Sequence, residues 1–377
     1  MRRTNAEDLI RKTFAHFVEK EVKPVAKEVD EAARFPEDLF QKVARTGAFG
    51  IRYPQEAGGA GGNTTLFCIM CEELAKGMMG LAAITAMQCL MGTNFLFRYG
   101  TEDLREKYWL PAIKGRMVAS FALTEPDAAT DLGNVSTTAA KMSDGWVLNG
   151  MKTWITNGPQ AAFFTVLAST DRSKGLKGLN FFFVPRDTPG VSVSKKFDKL
   201  GTRCTEISEV AFKDVRIPWE YMLGQEGTGV SNLTSILAEI RTMTAALSLG
   251  LARAALEDSI RYAKERVQFG RPIAQFQAIQ MKIAQMAVGI EASKLLTYKA
   301  AGLVDQGINC TQEASMAKLF ASETACTCAD EATRIFASYA YSNEYPVQRY
   351  YRDTRFLLYG GGTSEILQIN IAREMLK

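Results

Sequence analysis

Histidine is almost missing from this chain, with one residue, His16, in 377. Zinc centres recruit imidazoles or four clustered thiolates, so one histidine and seven scattered cysteines argue against a metal site. Cys68 and Cys71 have ligand-like spacing, but they fall in an apolar helical stretch. Cys326-Thr327-Cys328 is too tight to supply a matching pair, so these thiols read as core residues. A Ser-His-Asp triad would have to use His16, on an N-terminal surface helix, and hydrolysis of that kind is disfavoured. No G-x-G-x-x-G turn follows a strand, which sets aside a Rossmann domain. No repeat, low-complexity tract or apolar run of bilayer-spanning length stands out. Met1-Arg2-Arg3-Thr4 passes into a helical pattern without an apolar leader, so cytoplasm is the expected location. The net charge is only +4 and its basic residues are dispersed, leaving no nucleic-acid footprint but room for an anionic small ligand.

What is present is a composition for large cores: 47% hydrophobic and 23% charged residues, enough for two or three domains. Leu9, Phe14, Phe17, Val22 and Val25 space out an apolar helical face, and Pro36-Glu37-Asp38-Leu39 starts another helix, giving an all-α domain over 1–119. Over 120–225 the period shortens to β-rich runs at 118–123, 146–148, 163–168, 179–184, 191–193 and 209–212. Lacking intervening helices, these runs predict an antiparallel barrel or sandwich. The helical period returns over 226–377 and predicts a bundle of four long helices. The fold class is therefore α+β multidomain, in the order α, β, α.

The densest signal is Gly360-Gly361-Gly362-Thr363-Ser364-Glu365-Ile366-Leu367-Gln368. Three glycines strip the side chains from a turn entering a helix, so backbone N–H groups can approach a carbonyl or phosphate closely. The plain alternative is a loop with Thr363 as N-cap.

Thr124-Glu125-Pro126-Asp127-Ala128-Ala129-Thr130-Asp131, then Asn149-Gly150-Met151-Lys152-Thr153-Trp154-Ile155-Thr156-Asn157-Gly158, then Arg266-Val267-Gln268-Phe269-Gly270-Arg271-Pro272-Ile273 resemble the acyl-CoA dehydrogenase family in sequence and order. Arg352-Asp353 and the glycine segment extend the likeness almost to the last residue. The resemblance implies an N-terminal all-α domain, a middle β domain and a C-terminal four-helix bundle, with FAD and an acyl-CoA thioester meeting between them. Phe121, Leu123, Thr124, Trp154, Ile155 and Thr156 are the implied flavin contacts, and an isoalloxazine does need an apolar slot with donors at its rim. Thr130 stands where the family usually has Ser, within reach of flavin or pantetheine. Arg266, Gln268 and Phe269 resemble the segment reaching FAD across a subunit boundary, which implies a homo-oligomer, a tetramer by family habit. Arg334 and Ser338 occupy further cofactor positions; the arginine would grip diphosphate or form a salt bridge. Thr363 and Glu365 belong to the same cofactor set, while Gln88, Arg241, Gly360 and Gly361 are the implied substrate contacts. An electron-transferring flavoprotein is the implied acceptor.

In this family a glutamate removes the α-proton while the β-hydride passes to the flavin. By the resemblance its usual place is Gly361 here, and its second place is Ile240; neither carries a carboxylate. Glu239 is adjacent, but a one-residue shift turns a helical side chain by about 100°; it reads as an exposed helix residue. Cys89 would need a depressed pKa to serve. Asp127 is a loop residue and does not fill the gap. The expectation is oxidation of an unusual, cyclic (cyclohexene-carboxyl-type) thioester with a relocated base. The alternatives are non-redox elimination of the desulfinase type and a non-catalytic acyl-CoA-binding homologue.

Overall fold

A computed structural model describes residues 4–377. Eight helices form the first domain: α1 (Asn5–Phe17), α2 (Ala26–Ala32), α3 (Glu37–Arg45), α4 (Thr64–Gly77), α5 (Met79–Ala86), α6 (Asn94–Tyr99), α7 (Glu102–Leu104) and α8 (Leu110–Ile113). Their starts follow side-chain capping: Thr4 Oγ1 accepts from the Glu7 N–H, and Asn63 Oδ1 accepts from the Leu66 N–H at 2.9 Å. Phe14, Phe17, Leu39, Phe40 and Val43 turn inward from the apolar faces.

The middle domain is one sheet of eight strands: β1 (Val118–Ala122), β2 (Thr138–Lys141), β3 (Trp146–Thr156), β4 (Ala161–Ser169), β5 (Leu179–Pro185), β6 (Val191–Val193), β7 (Ile207–Ile217) and β8 (Met222–Leu223). The order is β6-β7-β3-β2-β4-β5-β8, with β1 paired to β4. Most pairings are antiparallel as expected, but β1 runs parallel to β4, with Phe121 opposite Thr165. β3 and β7 extend well past their short apolar runs, because a long antiparallel ladder satisfies the backbone of weakly patterned residues. Alternation along β1 serves two cores: Ala119 and Phe121 join the large helical core, whereas Ala122 joins the core of the curled sheet.

The last domain contains α9 (Gly229–Glu265), α10 (Gln277–Asp305), α11 (Thr311–Phe336), α12 (Val347–Leu357) and α13 (Ser364–Met375). Only the first three are long; the fourth long helix of the sequence reading is divided between α12 and α13, with the glycine turn between them. α9 packs along α10 and α11 and also against α4, so one helix belongs to two domains. This corrects one expectation: Met79–Tyr99 and Gly229–Glu265 are long and apolar enough to cross a membrane by length and composition, but 83% of the apolar 18-residue window in each lies buried inside the protein. Their apolarity serves internal packing on every side.

Arg352 and Asp353 tie the three domains together. Arg352 Nη2 meets Asp30 Oδ2 at 2.5 Å and Nη1 donates to Leu200 O at 3.2 Å, while Asp353 Oδ1 accepts from the Thr202 N–H.

Candidate active site

The ends of β1 and β3 are laced together. The Thr153 N–H donates to Thr124 O at 2.9 Å and Ser120 Oγ donates to Thr156 O at 2.6 Å, which sets residues 121–124 beside 153–156. Their side chains then separate by face. Phe121 turns into the large core and stacks on Phe181, centroids 5.5 Å apart. The Ile155 side chain turns into the sheet core. Leu123, Thr124 and Thr156 are half-buried at that lip. Trp154 is 60% exposed, is held at φ +58°, and sets an edge against Phe197. A tryptophan in the left-handed region with an open ring face is strained for no gain in the isolated chain, which suits a wall awaiting a ligand. Among the described residues, neither the Thr124 nor the Thr156 hydroxyl makes a hydrogen bond, and no acceptor takes the Thr124 N–H. An apolar slot rimmed by unspent donors fits the isoalloxazine of FAD. Thr130 lies exposed on the adjoining loop, where Asp131 is occupied in accepting from the Gly133 N–H and Asn134 Nδ2.

The glycine turn closes over α9. Gly361 has φ +75° and Gly362 φ +113°, conformations that L side chains resist. A Cβ built on Gly361 would sit 3.2 Å from Thr244 Oγ1 and 3.5 Å from Ile240 Cγ2. The two positions where a base was sought thus abut in space, and both are without a carboxylate. The Gly360 N–H donates to Phe356 O and the Gly362 N–H to Tyr359 O, whereas among the described residues no acceptor takes the Gly361 N–H. Thr363 is the N-cap of α13, accepting from the Ile366 N–H at 3.4 Å. Glu365 is exposed in the first turn, its carboxyl lowered by hydrogen bonds from its own backbone N–H and the Thr363 hydroxyl.

Several sequence candidates are committed elsewhere. Glu239 is buried rather than exposed: it pairs with Arg52 and, at 3.4 Å, with Arg98, while Arg52 Nη1 donates to Asn94 Oδ1. A carboxylate held between two guanidiniums is a poor base. The Cys89 thiol is driven upward by complete burial and faces Ala48 O, so it is not a base either. Gln88 spends its whole amide on the fold, donating to Ala112 O and Met117 O and accepting from the Ala119 N–H, which removes it as a substrate contact. Arg334 is exposed and ion-paired with Asp330 at 2.7 Å, one turn away on α11. Ser338 is exposed just past that helix. Gln268 pairs with Arg271 in a hairpin at Val267–Pro272 whose tip carries Phe269, 94% exposed, and Arg266 lies over the Tyr339 ring.

One group escaped the sequence reading, and it lies near one that did not. Lys318 on α11 is completely buried, and its Nζ donates to Gly362 O at 2.7 Å and Leu358 O at 3.2 Å, gripping the glycine turn from below. Burial brings its pKa down to about 8, opposed by the charge of Glu323 and assisted by that of Arg241. Arg241 is 7% exposed and donates to Ser315 Oγ at 3.2 Å. The available signal was Lys318 itself, the only charge between Glu313 and Glu323. Among the described residues no three His, Cys, Asp or Glu side chains gather as a metal site.

Three family descriptions match successive parts of the chain: acyl-CoA dehydrogenase N-terminal domain at 4–116, middle domain at 120–215 and C-terminal domain at 227–376. The chain is 48% identical to benzylmalonyl-CoA dehydrogenase of Aromatoleum aromaticum, covering 99% of this chain and 98% of that one. It is 42% identical to a 3-(aryl)acrylate reductase of Clostridium sporogenes, over 99% of both. It is likewise 42% identical to subunit CarC of the caffeyl-CoA reductase-Etf complex of Acetobacterium woodii, over 98% of both. Among solved structures, butyryl-CoA dehydrogenase from Megasphaera elsdenii superposes with a TM-score of 0.97 at 37% identity, each chain covered completely.

Proposed function

The chain belongs to the acyl-CoA dehydrogenase family, FAD-dependent oxidoreductases acting on CH–CH bonds of CoA thioesters, and on that footing we propose that its substrate is an aryl-substituted acyl-CoA bearing a free carboxylate on the α-carbon. The observation that carries this reading is the joint absence of a carboxylate at Gly361 and Ile240, which abut each other under the turn. A malonyl-type thioester needs no base there. The bond from the α-carbon to the carboxylate breaks, CO2 departs, and the electron pair remains as the thioester enolate. A hydride then leaves the β-carbon, and the α–β double bond of an arylacrylyl thioester forms. Bound FAD supplies the acceptor for that hydride.

The chain's own part is positional and electrostatic. The unspent Gly361 N–H donates to the thioester oxygen, where negative charge develops as CO2 leaves. Leu123, Thr124, Trp154 and Thr156 hold the flavin edge, and the apolar walls of Phe121 and Ile240 exclude water from the enolate. The printed names of the relatives, benzylmalonyl, 3-(aryl)acrylate and caffeyl, support an aryl three-carbon skeleton. The Etf in the Acetobacterium name supports an electron-transferring flavoprotein as acceptor. The open hairpin at Phe269 and an exposed apolar row on α10, Met281, Val288 and Leu295 at heptad spacing, support a homotetramer of a cytoplasmic enzyme.

A cyclic thioester oxidised by a relocated base is the weaker reading, because Glu239 and Cys89 are both disqualified. The deciding experiment mixes FAD-loaded protein anaerobically with benzylmalonyl-CoA, 3-phenylpropanoyl-CoA and cyclohex-1-ene-1-carboxyl-CoA, following flavin bleaching and released CO2. Bleaching with one CO2 per flavin, by the malonyl thioester alone, is expected. Bleaching by either uncarboxylated thioester without CO2 sinks the proposal, and turnover without bleaching moves the protein to elimination chemistry.

A further inference from the structure

Resting on that reading, we propose that Arg241 is the receptor for the substrate's free carboxylate, and that it makes the enzyme select carboxylated over ordinary acyl-CoA thioesters. Arg241 carries five donors, yet only Ser315 Oγ takes one, and its buried Nε has no partner. Among the described residues no carboxylate lies in ion-pair range of it, unlike the half-buried guanidiniums of Arg11, Arg52, Arg253 and Arg352, each of which meets an acid. Arg349, also buried, lies over the Tyr350 ring with Asp353 near it. An ion taken out of water without a counter-ion costs several kcal/mol, so a guanidinium left this way calls for an anion from outside the chain.

Its position says which anion. Arg241 reaches Ser315 Oγ on α11, three residues before Lys318 on the same helix. Lys318, whose charge is felt at Arg241's end of α11, holds the carbonyl of Gly362 in the same turn. The nearby carboxylates face away: Glu323 accepts from Ser364 Oγ at 2.6 Å at the surface, and Glu365 is exposed. Lys318 thus holds the turn directly, and Arg241, whose charge reaches Lys318, carries no acid of its own among the described residues. A substrate carboxylate brings the missing charge, and a bidentate guanidinium contact fixes its orientation. Arg241 is a specificity and positioning residue here; the bond-breaking electrons stay with the substrate.

The competing role is a general contact with the CoA moiety, shared by every thioester. Holoenzyme with its flavin chemically reduced has no hydride acceptor, so binding of benzylmalonyl-CoA and 3-phenylpropanoyl-CoA can be compared by calorimetry, with released CO2 followed to confirm that the carboxylated ligand stays intact. Arg241→Gln is expected to weaken the first at least tenfold while changing the second less than twofold; Arg241→Lys should restore part of the difference. Equal weakening of both ligands, or of neither, overturns the proposal, whatever the CO2 assay shows. Should Arg241→Gln fail to fold with flavin, the same ratio measured on Arg241→Lys decides. If the wild-type enzyme releases no CO2 yet still prefers the carboxylated ligand, the reaction reading fails and the receptor stands.

Discussion

The β domain and the C-terminal bundle each bury cations, and they treat them oppositely. Lys152 on β3 is completely buried but meets Glu125 Oε1 at 2.7 Å and also donates to Leu123 O. Glu125 in turn accepts from the Ser136 hydroxyl and N–H and from the Thr137 N–H, so every charge in that group has a partner. Burial brings Lys152 down to about 8 even so, opposed by Glu125. Lys318 reaches the same value with carbonyl partners alone, and Arg241 has a single hydroxyl. A closed ion pair holds a strand in register beside the flavin slot. Arg241, without an acid among the described residues, is open to an anion from outside the chain under the proposal above.

The comparison can be broken by removing one member from each region. Glu125→Gln strands Lys152 in the core and should destabilise the protein by about 3–5 kcal/mol, read from the urea midpoint. Arg241→Met removes a lone cation and should leave stability in the absence of substrate within about 1 kcal/mol of wild type, or raise it. Equal losses in the two variants would mean that Arg241 is structural. A smaller effect sharpens the comparison through an acid. Burial raises Asp353 to about 6, the Thr202 N–H opposing and Asp30 assisting. A folded pKa above the unfolded value stabilises fully below about 3.8 and loses that contribution as pH rises through about 6. The stability of wild type relative to Asp353→Asn should therefore fall over that window and then level off; a flat difference would show that the carboxyl does not titrate there. Smallest of all, Thr363→Ala removes the α13 cap and should cost about 0.5–1 kcal/mol in thermal unfolding. A larger loss would make the cap, rather than Lys318, the main hold on the glycine turn.

Much of the fold was legible because its signals are local. The change from a helical to a strand period near residue 118, the glycine run before α13 and the Trp154 segment are each contiguous. β2 was missed because Thr138–Lys141 has no apolar run, and the parallel β1–β4 pairing because nothing within a strand states its neighbour's direction. In the site, Thr124, Thr156, Thr363 and Gly361 were proposed from motif. Gln88 and Glu239 were read without their partners: Ala119 for the first, Arg52 and Arg98 for the second.

The sequence by itself determined the α, β, α order, the segments proposed for the flavin slot and the absence of a carboxylate at two separate positions, since periodicity and motif are properties of neighbouring residues. Only the tertiary structure decided that Gly361 and Ile240 are one place, that Glu239 is neutralised there by arginines and that Arg241 is left without an acid. Those facts turn on distances between residues far apart in the chain, and the energy of a buried charge is set by what stands within a few ångströms of it.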